Sequence, residues 1–233
     1  MPADALHDLL QRLDNAARDA GRTAPRLLAV SKTQPAEAVL ALAQAGQRAF
    51  GENYVQEAAA KRAVLDATPL GPSLEWHLIG HLQSNKAKDA AAGFDWVQSV
   101  DRPALVAALA RHRPADRSPL NVLVQVNLDD EASKSGCRPD EVAMLAARIA
   151  AEPRLALRGL MVIPAPTPDV ERRRDAFRRA RALFDAMRDA HPQVDTLSMG
   201  MSDDLEQAIA EGATLVRVGT ALFGARRPRP ATG

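Results

Sequence analysis

A lysine at the end of an apolar segment is the first candidate for covalent chemistry in this chain. Lys32 closes the apolar run 26–32 and is one of only five lysines in a sequence that otherwise uses arginine for its positive charge. Strand alternation would place Leu28, Val30 and Lys32 on one face, where burial lowers the pKa of an amine toward neutrality. A neutral amine can attack an aldehyde. The alternative is an ordinary solvated lysine just past a strand end. This segment alone leaves both interpretations open.

Two glycine-containing turns near the C-terminus are typical of phosphate sites. One is the segment 198–204, which contains Gly200 and Ser202, and the other is the segment 218–221, which contains Gly219 and Thr220. At a helix start the free backbone N–H groups and the helix dipole favour an anion. Ser202 and Thr220 also fit ordinary helix caps, which is the alternative for either turn taken alone.

A third candidate is an arginine inside an apolar strand. In the run 215–219, Val216 and Val218 point to one face and Arg217 to the other. If the valines pack against helices, Arg217 faces the opposite side of the sheet. A buried guanidinium needs an acceptor, which is either a carboxylate in a structural ion pair or a heteroatom of a ligand.

The elements that position these residues alternate regularly along the chain. The sequence predicts an amphipathic helix over residues 4–20. It then predicts eight strands near 26–32, 49–53, 75–80, 96–101, 121–127, 157–162, 196–200 and 215–219. Helical patterns between them cover 35–45, 54–65, 103–111, 141–151, 169–190 and 204–211.

Strict alternation of strands and helices favours a parallel sheet with right-handed crossovers. Eight such units in 233 residues predict an α/β fold, a single-domain (β/α)8 TIM barrel with an extra N-terminal helix. An open doubly wound sheet is the competing topology. We expect one domain over 1–233, with the extra helix inside 1–25 and a flexible Pro-rich, basic tail at 226–233.

Composition narrows the class of protein. The net charge of +1 and the 25% charged content argue against a nucleic-acid or anionic-membrane partner. The N-terminus has no basic segment followed by an apolar run, so we expect a cytoplasmic protein without a secretory signal. The single cysteine, Cys137, excludes an internal disulfide and any multi-cysteine metal site.

Lys32, the two turns and Arg217 together match one cofactor. In a barrel, active sites lie at the C-terminal ends of the strands, and phosphate is often held after strands seven and eight. Pyridoxal 5'-phosphate (PLP) has an aldehyde for a lysine, a phosphate for the turns and a ring nitrogen that an arginine can meet. An arginine there disfavours protonation of the ring nitrogen and makes the ring a weaker electron sink.

Seven sequence blocks resemble the pyridoxal phosphate homeostasis protein family. They are LAVSKTQP (28–35), FGENYVQE (50–57), WHLIGHLQSNK (76–86), KSGC (134–137), LRGLM (157–161), LSMGMSDD (197–204) and VRVGTALFG (216–224). The resemblance implies a barrel like the N-terminal domain of alanine racemase. It also implies PLP held as a covalent aldimine on Lys32, Arg217 facing the pyridine nitrogen, and Asn53 beside the cofactor. Ser202, Gly219 and Thr220 would hold the phosphate.

The family resemblance implies a protein that carries or buffers PLP rather than turning over a substrate. Recipient apoenzymes would be transient partners, and we expect a monomer rather than a dimer. The alternatives are a PLP-dependent amino-acid racemase or lyase, and a lysine-dependent aldolase without cofactor. Tyr54, the only tyrosine, is the one candidate for a phenolic second base, and His77 is the other possible partner of Lys32 in a racemase or lyase.

Several other polar residues have less support for a chemical role. His77 and His81 are separated by four residues of a predicted strand, roughly 13 Å, which is too far for one directly bound metal ion. We interpret His77 as a hydrogen-bonded structural histidine, and we expect no metal site. Lys86 and Lys88 follow strand three, where a solvated helix start and a second PLP site remain alternatives.

Overall fold

The computed structural model describes residues 2–129 and 135–224. The tail expected at 226–233 and the family-block residue Lys134 lie outside the described residues. No helix within these two ranges is both long and apolar enough to cross a membrane.

Eight strands and nine α-helices are found in the described part of the chain. The strands are β1 (Arg26–Val30), β2 (Ala49–Glu52), β3 (Glu75–Leu78), β4 (Trp96–Val100), β5 (Leu120–Val126), β6 (Leu155–Val162), β7 (Thr196–Ser198) and β8 (Leu215–Val218). The helices are α1 (Pro2–Asp19), α2 (Ala36–Gln44), α3 (Val55–Leu65), α4 (Ala87–Gly93), α5 (Pro103–His112), α6 (Val142–Ala150), α7 (Val170–Ala190), α8 (Leu205–Ala210) and α9 (Thr220–Phe223).

The strands form a closed parallel barrel in sequence order, with β8 pairing back onto β1. This confirms the predicted (β/α)8 barrel and rules out the open doubly wound sheet, which would leave two edge strands. Most strands end one or two residues before the predicted bounds, because the chain turns toward the following helix at the barrel mouth.

The two faces of the strands differ in what they contact. Side chains on the outer face join one large apolar core with the helices, and those of Val216 and Val218 belong to it. Two small apolar clusters fill the lumen instead; one contains Leu28, Ala49 and Leu215, and the other contains Trp96, Leu123 and Met161. Alternation along β8 therefore turns Arg217 into the lumen, as the sequence predicts.

Helix α7 contains the arginine-rich segment 171–181, whose arginines have a structural explanation. Asp169 caps its N-terminus by accepting hydrogen bonds from the backbone N–H groups of Glu171 and Arg172. One stripe of the helix is buried against the barrel, and it consists of Ala176, Phe177, Ala180, Phe184 and Met187. The arginines occupy the remaining surface, as expected for an amphipathic helix.

The N-terminal helix is shorter than the segment 1–25 assigned to it. Helix α1 ends at Asp19, and Gly21 at φ +62° follows in the left-handed region that ends many helices. Leu6, Leu9 and Leu13 are buried. The helix packs against α2, α8 and α9, so it joins the outer layer of helices.

The ends of β2 and β3 are in close contact at the barrel mouth. A Cβ atom added at Gly80 would lie 2.2 Å from the carbonyl oxygen of Asn53 and 2.7 Å from its Cα atom. A glycine at position 80 therefore allows the loop after β3 to approach the backbone of Asn53, a predicted site residue.

We expect Gly80→Ala to destabilise the protein by at least about 2 kcal/mol, because the methyl group overlaps backbone that cannot move alone. Urea denaturation gives the free energy of unfolding. Gly93→Ala is the matched control, since the nearest atom to its added Cβ is 3.9 Å away. Equal unfolding free energies for the two variants would contradict the close approach.

Candidate functional site

Lys32 lies in a tight turn directly after β1, and its side chain is half-buried. The strand ends at Val30 rather than at Lys32, which corrects the predicted bound. The backbone N–H of Gln34 donates to the carbonyl oxygen of Ser31 at 3.0 Å, and Thr33 has φ +66°. A β-branched residue rarely adopts this left-handed conformation, so the surrounding contacts must hold it there.

Those contacts come from a buried ionic group that we call the Lys61 cluster, consisting of Lys61, Glu52 and Glu57. The Lys61 ammonium donates to Glu52 at 2.7 Å, to Glu57 at 2.9 Å and to the carbonyl oxygen of Ser31 at 2.6 Å. Ser31 Oγ donates to Glu52 at 2.5 Å, and the N–H of Thr33 donates to Glu57 at 2.5 Å. The cluster therefore binds the residues on both sides of Lys32.

The Lys61 cluster lies between the sheet and α3, on the outer face of the barrel. Glu52 is fully buried, and one of its carboxylate oxygens has no hydrogen-bond partner. Burial raises the pKa of Glu52, while the hydrogen bonds from Lys61 and Ser31 oppose that shift. Ser31 therefore faces this outer layer rather than the lumen.

Sequence reasoning missed the Lys61 cluster. Glu57 and Lys61 have the i,i+4 spacing of a helical ion pair, which was a usable signal. Such pairs are usually solvated, however, and nothing in the spacing indicates that Lys61 is only 6% exposed.

Strand pairing brings two segments with predicted site residues to the end of β1. Val30 pairs with Gly51 of β2, and the N–H of Ser31 donates to the carbonyl oxygen of Gly51 at 3.0 Å, two residues before Asn53. On the other side, a Cβ added at Gly219 would lie 3.1 Å from the carbonyl oxygen of Val30. The turn after β8 therefore borders the strand end that carries Lys32.

The loop after β7 approaches the same edge of the barrel. The carbonyl oxygen of Gly200 accepts a hydrogen bond from the N–H of Arg217 at 3.0 Å. Gly200 has φ +91°, and a Cβ there would lie 2.5 Å from that of Ala208, so only glycine fits without displacement. The carbonyl oxygen of Ser202 accepts from Arg12 of α1 at 3.3 Å. Ser202 and Gly219 are half-buried, and Thr220 is exposed.

Arg217 is buried in the lumen, at a deeper level than Lys32. It pairs with Leu28, four residues before Lys32, which is roughly 13 Å along the strand. Its guanidinium donates to Ser198 Oγ at 2.7 Å and to the carbonyl oxygen of Val162 at 2.9 Å. Burial lowers the pKa of Arg217 to about 10, partly offset by the charge of Asp204, so the group stays cationic at neutral pH.

The ion pair considered as the structural explanation for Arg217 is not found. Among the described residues no carboxylate forms a salt bridge with its guanidinium, and both bonded oxygens are uncharged. A guanidinium has five N–H donors, of which these two bonds use two. The arrangement leaves donor capacity for an acceptor supplied by a ligand.

His77 and His81 occupy different environments. His77 is fully buried and hydrogen-bonded to Glu75 at 2.7 Å and Gln98 at 2.9 Å, which confirms a hydrogen-bonded histidine. His81 lies at the surface, where it contacts Ser135. The described residues contain no group of three His, Cys, Asp or Glu side chains suited to a metal ion.

A cavity of about 330 Å³ adjoins Asn53 at the mouth. Its lining includes Tyr54, His81 and Lys86, whereas Lys88 is exposed on α4 outside it. Tyr54 precedes α3 and is 64% exposed. The predicted roles of Lys32, Asn53, Ser202, Arg217, Gly219 and Thr220 toward a ligand stay a prediction, although the fold gathers these residues in the mouth half of one barrel.

The fold, with a lysine at the mouth and an arginine in the lumen, defines a barrel of the alanine racemase type. The family model described as "Alanine racemase, N-terminal domain" matches residues 4–227. Within that class, the chain belongs to the pyridoxal phosphate homeostasis protein family.

Two relatives with that name span almost the whole chain. The protein of Haemophilus influenzae is 48% identical over 225 residues, covering 95% of this chain and 94% of the relative. The protein of Escherichia coli K12 is 49% identical over 229 residues, covering 96% and 97% respectively. Among solved structures, PipY of Synechococcus elongatus with PLP bound superposes with a TM-score of 0.84 at 38% identity, covering 96% of this chain and all of PipY.

We expect Lys61→Met to destabilise the protein by about 3 kcal/mol at pH 7, because it leaves the Glu52 carboxylate buried without its cation. Adding Glu52→Gln should recover part of that loss by removing the unpaired charge. Urea denaturation of the single and double variants measures both effects.

The control for the Lys61 cluster is Lys88→Met, which removes an exposed lysine on α4 and should change stability by less than about 0.5 kcal/mol. The prediction fails if Lys61→Met and Lys88→Met lower the free energy of unfolding by the same amount. It also fails if the Glu52→Gln substitution adds its full independent cost to that of Lys61→Met.

Proposed function

We propose that this chain binds PLP covalently through Lys32, and that it supplies or buffers the cofactor in the cytoplasm without turning over a substrate. The relatives' names refer to pyridoxal phosphate homeostasis, and the PipY structure contains PLP. Transient contact with apoenzymes and a monomeric state are part of the same proposal.

The observation that carries the proposal is the buried guanidinium of Arg217, which has no hydrogen-bonded carboxylate among the described residues. Removing a guanidinium from water is costly unless good acceptors replace the solvent. Within the described residues, Arg217 has only a hydroxyl and a backbone carbonyl as hydrogen-bond acceptors. The nitrogen of a pyridine ring is an uncharged acceptor of matching chemistry, so the donor set fits PLP.

When bound, PLP supplies an aldehyde carbon, on which the nitrogen of an amine forms a C=N bond while the aldehyde oxygen leaves as water. Lys32 would be that amine, in a turn that the Lys61 cluster holds. Asn53 would flank the ring from the β2 side. Ser202, Gly219 and Thr220 would bind the phosphate by hydroxyl and backbone N–H groups.

The absence of turnover rests on two features. A guanidinium that donates to the ring nitrogen competes with a proton there, which weakens the ring as an electron sink. Racemisation also needs a second acid–base group opposite Lys32. Tyr54 is the only tyrosine, and its 64% exposure reflects a position at the rim rather than a closed site.

We expect protein incubated with PLP and then gel-filtered to keep a visible absorbance band, and Lys32→Ala to lose it. Borohydride reduction followed by peptide mapping should place the label on Lys32. Lys88→Ala is the control, since this lysine is exposed and outside the mouth cavity. A colourless wild type, or a label on another lysine, would overturn the proposal, and a colourless protein that cleaves phosphorylated sugars would favour the aldolase.

We expect PLP-loaded protein to activate an unrelated PLP-dependent apoenzyme, because the bond to Lys32 is reversible by water or by another amine. The activity recovered by the apoenzyme measures the transfer. Borohydride-reduced protein is the matched control and should activate nothing. Exchange of the Cα proton of an L-amino acid at an enzymatic rate, abolished by Tyr54→Phe, would instead favour the racemase.

A further inference from the structure

A continuous chain of side-chain hydrogen bonds crosses the barrel lumen. Arg217 of β8 donates to Ser198 of β7 at 2.7 Å, and Ser198 donates to Gln98 of β4 at 2.7 Å. The amide nitrogen of Gln98 lies 2.9 Å from His77 Nδ1, and His77 Nε2 lies 2.7 Å from Glu75. We call these five residues the lumen chain.

The arginine fixes the direction of every bond in the lumen chain. A guanidinium can only donate, so Ser198 Oγ accepts a hydrogen bond from Arg217. The Ser198 hydroxyl then donates its own hydrogen bond to the side-chain carbonyl oxygen of Gln98. Gln98 must then donate through its amide nitrogen to His77 Nδ1. That leaves the proton of neutral His77 on Nε2, from which it donates to Glu75.

The surroundings favour an uncharged His77 between two charged ends. Burial lowers the pKa of His77, and the hydrogen bond and charge of Glu75 only partly oppose this. Trp96 stacks on the imidazole with ring centroids 5.0 Å apart and an interplanar angle of 8°. Glu75 also accepts from Arg26 at 2.6 Å near the opposite end of the barrel, which favours its ionised form.

We propose that Ser198, Gln98, His77 and Glu75 are positioning residues that fix how Arg217 presents its remaining N–H groups to the ring nitrogen of the cofactor. Each bond polarises the next toward the Glu75 carboxylate, so the chain adds to the compensation of the buried cation that the charge of Asp204 provides. This inference rests on the proposed function for its last step, whereas the direction of the chain does not.

The direction of the lumen chain can be tested without cofactor. Long-range ¹H–¹⁵N correlation spectra of uniformly ¹⁵N-labelled protein distinguish the two imidazole tautomers. At neutral pH we expect His77 to carry its proton on Nε2. Gln98→Glu removes the amide donor, so it should shift the His77 proton to Nδ1 or make the ring cationic. A wild-type His77 protonated on Nδ1 would overturn the inference.

The effect on the cofactor is tested with Ser198→Ala, which breaks the bond nearest Arg217. We expect the equilibrium dissociation constant for PLP to rise roughly 10-fold and the visible absorption maximum to shift, because the guanidinium loses a fixed partner. Ser99→Ala is the matched control, since Ser99 is equally buried one residue from Gln98 and its hydroxyl has no partner.

A conservative variant separates positioning from folding. Ser198→Thr keeps a hydroxyl and should restore both the absorption maximum and most of the affinity. If Ser198→Ala does not fold, Gln98→Met breaks the next bond with little change in side-chain volume. The positioning role would be overturned if Ser198→Ala, or Gln98→Met in its place, gave the same absorption spectrum and the same affinity for PLP as Ser99→Ala.

The two proposals fail in different ways. A wild-type protein that never acquires the visible band refutes covalent binding of PLP. The His77 spectra still test the direction of the lumen chain in that case. A wild type that acquires the band, with variants of the chain that leave it unchanged, refutes only the positioning role.

Discussion

The interior of this barrel depends on a buried guanidinium whose hydrogen-bond acceptors are uncharged. Arg217 is 4% exposed, and within the described residues its guanidinium bonds only to Ser198 and to the backbone of Val162. The usual solution for a buried cation is an adjacent carboxylate, which would satisfy the charge permanently. Here no carboxylate among the described residues bonds to the guanidinium. Asp204 acts on it through its charge alone, and Glu75 lies at the far end of four hydrogen bonds through neutral groups. That arrangement keeps the lumen attractive to an acceptor from outside.

The barrel positions Lys32 and Arg217 through separate sets of contacts on opposite faces of the sheet. On the outer face, the Lys61 cluster holds the turn around Lys32 through the Ser31 carbonyl and the Thr33 amide. On the inner face, the lumen chain holds Arg217. The parallel pairing of β1 with β8 joins both, since Arg217 is opposite Leu28. The position of Arg217 relative to the strand that leads to Lys32 is therefore set by strand register.

The sequence predicted those parts of the structure that depend on local periodicity. Strand and helix patterns gave the eight units in order, and the two valines beside Arg217 gave its direction. The end of β1 was wrong by two residues, because the conformation of Thr33 is imposed by Glu57 from another element. The lumen chain was missed because Ser198 and Gln98 are 100 residues apart. Alternation indicates that a side chain faces the lumen, but it does not indicate which side chain it meets across the barrel.

The same geometry supports the proposal that the chain binds the cofactor without catalysis at Cα. A protonated ring nitrogen makes PLP a stronger electron sink, and racemisation also needs a second acid–base group on the opposite face of the substrate. In the proposed direction of the lumen chain, Arg217 is a donor toward that nitrogen, and the groups beyond Arg217 donate toward Glu75, away from the ring. Tyr54, the candidate phenolic base, is exposed at the start of α3. A lysine that condenses reversibly, in a site whose arginine weakens the electron sink, would suit the proposed retention and release of the cofactor.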